Sequence, residues 1–402
     1  MRMLNLLQKI RLIRAKMLWR KARKRGRTLR LRIGNVAEFL EQLNVMGIRY
    51  VVLRWFEEVP LDQESEAVFA QDIDFLMDHS RLDEVVQLAA DYPGGIKCDI
   101  YSPTGKRATG YKKMPYYPPV LGDEVLEHRV LYQDTFYVPE PDYFFKSLAY
   151  HLTYHKGTTS GIPSGTTAFP ECPPAKRFYG ALLEALGDAV GVSALQKPYT
   201  LLSLHQYLRS VGWSMPYDLM VRWPKEKEWM AFLAQEEVAK YQSHADRLPN
   251  LIVFLVRADG TASDDVKDAT VQLISENFKI LQSVELDGGM TRRVSRSVRG
   301  GNWMEHGGEE FIPPTLALIC NDESPIPFSA DDPRRRKYPL ISNAKVLYKN
   351  SFRKEINKRF PSGGSKRIVL HASDNSIEAQ HHLEAVYGDE YPKICDVLFT
   401  DL

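Results

Sequence analysis

Cysteine is scarce in this chain. Cys98, Cys172, Cys320 and Cys395 are scattered through 402 residues, and no two form a C-x-x-C pair. Such spacing argues against a disulfide framework and against structural zinc, and it suits a reducing cytosol. Long apolar runs are missing too: none approaches the ~18–20 residues that span a bilayer. The N-terminus lacks the uninterrupted apolar core and small-residue cleavage site of a secretory signal, so a cytoplasmic location is expected. At 402 residues the chain exceeds one ordinary domain, and two or three are expected.

Acid is absent from one region. Residues 1–32 hold thirteen Lys or Arg and no Asp or Glu. Subtracting those thirteen from the 53 basic residues leaves 40 against 51 acids, so the rest of the chain carries about −11 behind an overall +2. Basic charge is therefore a property of a tail and not of the folded body. Within that tail Met3, Leu6, Leu7, Ile10, Ile13 and Met17 recur at helical spacing with Arg and Lys between them, which predicts an amphipathic helix. Such a helix suits an anionic membrane surface. It equally suits nucleic acid, a second subunit, or a helical extension with a solvated face.

Beyond the tail the pattern is mixed. A helix is expected over 36–43, strands over 50–53, 73–77 and 97–101, a helix near 82–90, and a helix from Asp142 to Tyr154 that ends at Gly157. The stretch TTSGIPSGTTAFPECPP, 158–174, reads as a loop. Residues 175–245 read mainly as helix. A last unit runs strand (251–256), turn (257–260), helix (264–276), strand (280–286), basic loop, strand (315–320), then a strand into His371. No internal repeat is present. The expected division is 1–32 basic helix, 33–157, 158–248 helical, and 249–402.

Two constellations carry chemistry. In AVFAQDIDFLMDHS, Asp72 and Asp74 stand two apart on a strand, hence on one face. In GIKCDIYS, 25 residues beyond Asp74, Asp99 lies in another strand. Three converging carboxylates repel unless a hard divalent cation such as Mg²⁺ neutralises them, and such a cation keeps room for substrate phosphates. This D-x-D with a later strand aspartate resembles nucleotidyltransferases of the polymerase-beta type. The resemblance implies that Asp72, Asp74 and Asp99 hold Mg²⁺ (or Mn²⁺) and that the third acid deprotonates an attacking hydroxyl. That family has a small Gly-Ser turn after its first strand. Here YVVLRWFEEVP puts Arg54 there, and a divergent bacterial group of the family has a similar "VLR-aromatic" turn. Arg54 would then replace glycine amides as phosphate ligand. In DYFFKSLAYHLTYHKG, His151 and His155 stand one turn apart. They could ligate a metal, but no third ligand is near, and a helix packed on the sheet with Lys156 near the cleft is the expectation.

The second constellation pairs LIVFLVRADG, 251–260, with RIVLHASD, 367–374. A neutral imidazole can attack a γ-phosphoryl group if nearby cations absorb the charge developing on the phosphate oxygens. MTRRVSRSVRGGNW supplies Arg292, Arg293, Arg296 and Arg299, and KNSFRKEINKRFP supplies Arg353 and Arg359. The two motifs resemble the strand entering K-P-D-G and the strand entering H-G-S-D of nucleoside diphosphate kinases. Arg257 replaces the lysine and Ala372 the glycine. The resemblance implies a ferredoxin-like domain, His371 as phospho-acceptor, and an NTP held by Arg257, Asp259, Arg299, Arg353, Arg359 and Ser373. It leaves His382 at the offset where the family has the acid that orients its histidine. Ser373 and Asp374 are expected to cap the helix starting near Ile377.

Together these readings imply a multidomain protein of α/β and α+β class: a nucleotidyltransferase-like mixed sheet, a helical middle region and a ferredoxin-like C-terminal domain. The implied function is transfer of a nucleotidyl or phosphoryl group to a sugar or polyol hydroxyl. Proteins resembling the first domain are associated with bacterial surface-polysaccharide assembly, where a tail on the inner face of the membrane would fit. An RNA-directed nucleotidyltransferase held by its basic tail, and a non-catalytic nucleotide sensor, are the alternatives.

Overall fold

The structure is a computed structural model. It describes residues 6–111, 114–170, 172–175, 177–298, 303, 311–329, 331–361 and 367–400. The protein is mixed α/β, with several small sheets. It divides into two compact units, Met1–Met215 with Pro224–Glu226, and Pro216–Trp223 with Lys227–Leu402. The middle region expected over 158–248 is thus shared between the two units.

The first unit runs α1 (Leu6–Arg25), β1 (Leu29–Ile33), α2 (Val36–Val45), β2 (Tyr50–Val52), α3 (Gln63–Val68), β3 (Asp72–Met77), α4 (Leu82–Asp91) and β4 (Ile96–Tyr101). There follow α5 (Pro119–Glu127), a hairpin of β5 (Arg129–Tyr132) and β6 (Phe136–Pro139), α6 (Pro141–Tyr150), α7 (Tyr179–Ala189) and α8 (Leu201–Ser210). The main sheet has the order β1-β4-β3-β2. β3 and β4 are parallel, which requires a crossover, and α4 supplies it. The other pairings are antiparallel. Leu29, Leu31 and Ile33 of β1 and Ile73, Cys98 and Ile100 of its neighbours are buried, so one face of the sheet is apolar. β1 corrects the expected boundary at residue 32: the strand crosses it and pairs with β4 along its whole length.

The second unit contains α9 (Tyr217–Arg222), α10 (Lys227–Arg247), β7 (Leu251–Arg257), α11 (Asp264–Ser275), β8 (Lys279–Glu285), α12 (Gly288–Ser297) and β9 (Pro314–Asn321). It closes with α13 (Lys349–Arg359), β10 (Leu370–Ala372), α14 (Ser376–Tyr387) and α15 (Tyr391–Thr400). Its sheet, β10-β7-β9-β8, is antiparallel throughout. All seven residues of β7 are buried. Ile252, Phe254 and Val256 pack on one side with Val266, Phe352 and Ile356; Val253 and Leu255 pack on the other with Val294, Leu383 and Val386. A central strand apolar on both faces follows from helices covering both sides. The basic loop expected after β8 is instead α12. The Asp287 carboxylate caps it by accepting from the Met290 N–H at 2.7 Å.

Candidate functional site

In the first unit the parallel register sets Asp74 opposite Asp99 and Asp72 opposite Lys97. Alternation along β3 keeps both aspartates on the face away from Ile73. The antiparallel pairing of β1 adds Arg30 opposite Asp99. The three expected carboxylates are therefore brought together, and cations stand among them. Arg30 Nε and Nη2 donate to Asp99 Oδ1 and Oδ2 at 2.6 and 2.7 Å, and Nη2 also donates to Asp72 Oδ2 at 3.0 Å. Lys97 Nζ lies 3.7 Å from Asp72. Arg54 Nη2 donates to Asp74 Oδ2 at 2.6 Å from a nearly buried position.

Arg54 is held at the turn after β2. The next residue, Trp55, adopts a left-handed φ of 54°, a strained conformation for a bulky side chain. Its ring is held by the Arg177 guanidinium at 4.0 Å and the Tyr179 ring at 5.3 Å. Arg54 itself sits 5.4 Å over the Tyr116 ring. Burial pushes the Asp74 carboxyl above the usual range; Arg54 pulls it down, and Asp99 and Asp72 push it further up.

His151 and His155 lie in a π-helical turn, His151–Lys156, that continues α6 to Gly157. Burial, and then the Arg54 charge, hold both imidazoles well below their ordinary pKa. His151 Nδ1 and the Tyr116 hydroxyl are 2.6 Å apart, and His155 stacks on Tyr111 at 5.4 Å. Both imidazoles are packed among the rings of Tyr111 and Tyr116. Lys156 sits 5.8 Å over the Tyr179 ring.

The magnesium expectation meets a different arrangement. An octahedral ion needs carboxylate oxygens turned to one point, whereas here each carboxylate is turned to a guanidinium or ammonium group. Among the described residues no group of three His, Cys, Asp or Glu side chains is placed to hold a metal ion. As arranged, Asp72, Asp74 and Asp99 do not fit Mg²⁺ or Mn²⁺. The mutual repulsion that pointed to a metal is offset by Arg30, Arg54 and Lys97. Of these, Arg30 was hidden in the sequence by the basic tail, although the alternation in LRLRI marks it as one face of a strand.

In the second unit His371 lies on β10 opposite Leu255 and is buried. Arg353, on α13, donates from Nε to the Leu370 carbonyl at 2.9 Å and from Nη2 to His371 Nδ1 at 3.1 Å. A guanidinium only donates, so Nδ1 carries the imidazole lone pair. The Trp303 ring stands edge-on at 5.3 Å from the imidazole, and Arg257 Nη2 donates to the Trp303 carbonyl at 2.7 Å. Burial, with the Arg257 charge adding to it, pushes the Arg353 guanidinium down to about 10. Burial raises the Asp259 carboxyl, against the pull of Arg257 and Arg367.

Other residues expected here serve elsewhere. Ser373 is fully buried; its Oγ accepts from the Val253 N–H at 3.1 Å, so it pins β10 to β7. Arg359 pairs with Glu355 at 3.0 Å. Six residues turn a helix by about 600°, so Arg359 leaves the face that carries Arg353. The cap of α14 is neither Ser373 nor Asp374 but Asn375, which accepts from the Glu378 N–H at 2.9 Å. Asp374 is tied to Lys349 at 2.7 Å. His382 lies 3.8 Å from Glu378, and it is Arg353 that holds His371 Nδ1. Arg299 lies outside the described residues. Trp303 was not singled out in the sequence, since nothing local marks an indole that tertiary packing brings to a histidine; nor was Arg367, whose charge acts on Asp259. Comparison with protein-family models, with curated proteins and with solved structures finds no match to this chain.

Proposed function

We propose that the chain is a transferase of phosphorus-containing groups that takes a nucleoside triphosphate at His371 and serves a sugar or polyol hydroxyl at the Asp72–Asp74–Asp99 row. The carrying observation is the imidazole of His371, buried, with its Nδ1 lone pair held by Arg353 and with Arg257 beside that arginine. Cations gathered about an imidazole lone pair suit a phosphate whose charge grows as it is attacked. The strand order β10-β7-β9-β8, with α11 joining the first two strands and α13 the last two, supports a ferredoxin-like, kinase-like reading in which α12 is an addition between the middle strands. The register of Asp74 with Asp99 supports the nucleotidyltransferase-like reading of the first unit.

The step at His371 follows from these parts. Arg353 leaves Nδ1 for the oxygens of an incoming γ-phosphoryl group. Nδ1 then attacks phosphorus, an N–P bond forms, and the bond to the bridging oxygen breaks. The nucleoside diphosphate leaves with that electron pair, and Nε2 keeps its proton. At the acid row Arg30 and Arg54 offer donors to phosphate oxygens; Asp74, raised by burial, takes the proton of a sugar or polyol hydroxyl as its oxygen bonds to the α-phosphorus, and pyrophosphate leaves with the electron pair of the broken P–O bond.

Incubation with γ-labelled NTP should leave acid-labile label on the parent protein and none on His371→Ala. Label from α-labelled NTP on a sugar or polyol phosphate, lost in Asp74→Asn, should report the second site. No label from either nucleotide, with no nucleotide bound, overturns the reading.

A further inference from the structure

Helix α1 carries two apolar stripes on opposite faces. Leu12, Ala15, Trp19 and Ala22 recur at three- and four-residue steps; Trp19 is buried and the other three are half-buried. Trp19 fastens this face: its indole N–H donates to the Arg107 carbonyl, and the Arg107 guanidinium lies 4.7 Å from its ring. Leu6, Ile10, Ile13 and Met17 follow the same spacing on the far side, with 74, 53, 59 and 63% of their surface exposed. At 3.6 residues per turn the two stripes are centred about 170° apart. Cations flank the outer stripe in two rows, Lys9, Lys16, Arg20 and Arg23 on one side and Arg11, Arg14, Lys21 and Arg25 on the other, the second row sharing its side with the exposed Leu7 and Leu18; Lys24 stands at the C-terminal end of the stripe itself, and the helix contains no acid. The second row borders a groove of about 720 Å³ that Arg27, just before β1, and Arg30 and Arg32 of β1 line and that no acidic residue lines.

We propose that the outer face of α1 docks on an anionic lipid surface, with Leu6, Ile10, Ile13 and Met17 among the acyl chains and the flanking rows on headgroup phosphates. Basic rows alone suit any polyanion. A nucleic acid or an acidic polysaccharide would neutralise them and leave four large apolar side chains in water. A bilayer surface, apolar beneath its charged headgroups, satisfies both features. The inner stripe distinguishes this helix from a loose tail: Trp19 fixes it to its own unit, so docking orients that unit. The inference is independent of the transfer reaction.

The test is co-sedimentation of the full chain with phosphatidylcholine vesicles, with and without phosphatidylglycerol. The parent should sediment with the anionic vesicles alone. Lys9→Gln/Lys16→Gln/Arg20→Gln should partition about 100-fold more weakly, and Ile10→Ser/Ile13→Ser/Met17→Ser roughly tenfold or more. Both variants should keep the parent's unfolding midpoint, because the changed side chains face solvent. Three results overturn the proposal: no vesicle binding by the parent, vesicle binding unchanged in the serine variant (a merely polyanionic surface), or a dimer that the serine variant dissolves while vesicles are ignored.

Discussion

Asp74 and Asp99 stand directly opposite one another on parallel strands, and a different arginine holds each: Arg54 at 2.6 Å and Arg30 at 2.6 Å. The two cations differ in setting. The Arg54 side chain is 7% exposed and that of Arg30 is 46% exposed. A desolvated guanidinium on a half-buried carboxylate is a fixture of the fold. One that leans in from an edge strand is exchangeable, because water can take over its hydrogen bonds when it leaves.

That difference predicts the behaviour of Arg30→Gln. Removing the guanidinium takes from Asp72 and Asp99 the cation they share, leaving Asp72 with Lys97 at 3.7 Å and Asp99 opposite Asp74. The cost in ion-free buffer should be small, about 1 kcal/mol, since the Arg30 side chain is 46% exposed and water reaches the position it vacates. Added Mg²⁺ should restore it, raising the unfolding midpoint of the variant and not of the parent. Equal responses of the two proteins would show that Arg30 does not occupy a cation position.

Arg54→Met should behave otherwise. It leaves Asp74 charged in a desolvated setting with its partner gone, which costs about 3–5 kcal/mol. Burial already holds the Asp74 carboxyl above its ordinary value, and without Arg54 it rises further. The folded state then binds a proton that the unfolded chain has lost. The variant should be least destabilised near about pH 4 and lose stability as pH rises. Adding Asp74→Asn should recover much of the loss in urea denaturation; no recovery would mean that Arg54 acts through its tyrosine contacts instead.

Most of the strands around both sites were legible in the sequence, and the reasons are local. β3, β7 and β9 are short apolar runs bounded by turn residues. The Asp74–Asp99 pairing needed only alternation and a crossover of the right length. β1 was not legible, because two arginines on its exposed face continued the basic count of residues 1–32. α12 read as a loop because Gly288 and Gly289 precede its arginines. In the structure those glycines are its first turn, and Arg293 is held by the carbonyls of Ala385 and Val386, a contact no local pattern announces. Arg359 stands closer to the offset at which the resembled family has an arginine, yet helix geometry brings Arg353 to His371.

Glu378 predicts a pH dependence of opposite origin to a surface carboxylate. It is buried on α14, and burial, with the charges of Asp374 and Asp218, pushes its carboxyl up to about 8. Between the ordinary carboxylate range and about 8 the native state holds a proton that the unfolded state does not. Unfolding free energy therefore falls as pH rises through that window, by at most about 1.4 kcal/mol per pH unit. Glu378→Gln should flatten the decline, because the amide oxygen can still accept from the Asp374 N–H and carries no charge. An unchanged slope in denaturation across the window would assign the effect elsewhere.

Gly260 ties the R-A-D-G turn to the histidine strand. A Cβ on it would fall 2.5 Å from the Val369 carbonyl oxygen and 2.7 Å from Val256 Cγ1. The Val369 carbonyl cannot yield freely, since it accepts the Arg257 N–H at 2.9 Å and Val369 itself is buried. Gly260→Ala must therefore push β10 away from β7, and His371 lies two residues beyond Val369. Overpacking of this kind costs about 1–3 kcal/mol. The larger effect should be at the imidazole, whose contact with Arg353 at 3.1 Å depends on where β10 sits. We expect the His371 ring resonances to shift and γ-phosphate labelling to fall by more than the fraction unfolded explains. Gly288→Ala is the control: its added methyl group meets nothing within 4 Å, and a helical alanine is favoured over glycine. If both substitutions leave His371 unmoved, the glycine serves the turn alone and not the placement of the histidine.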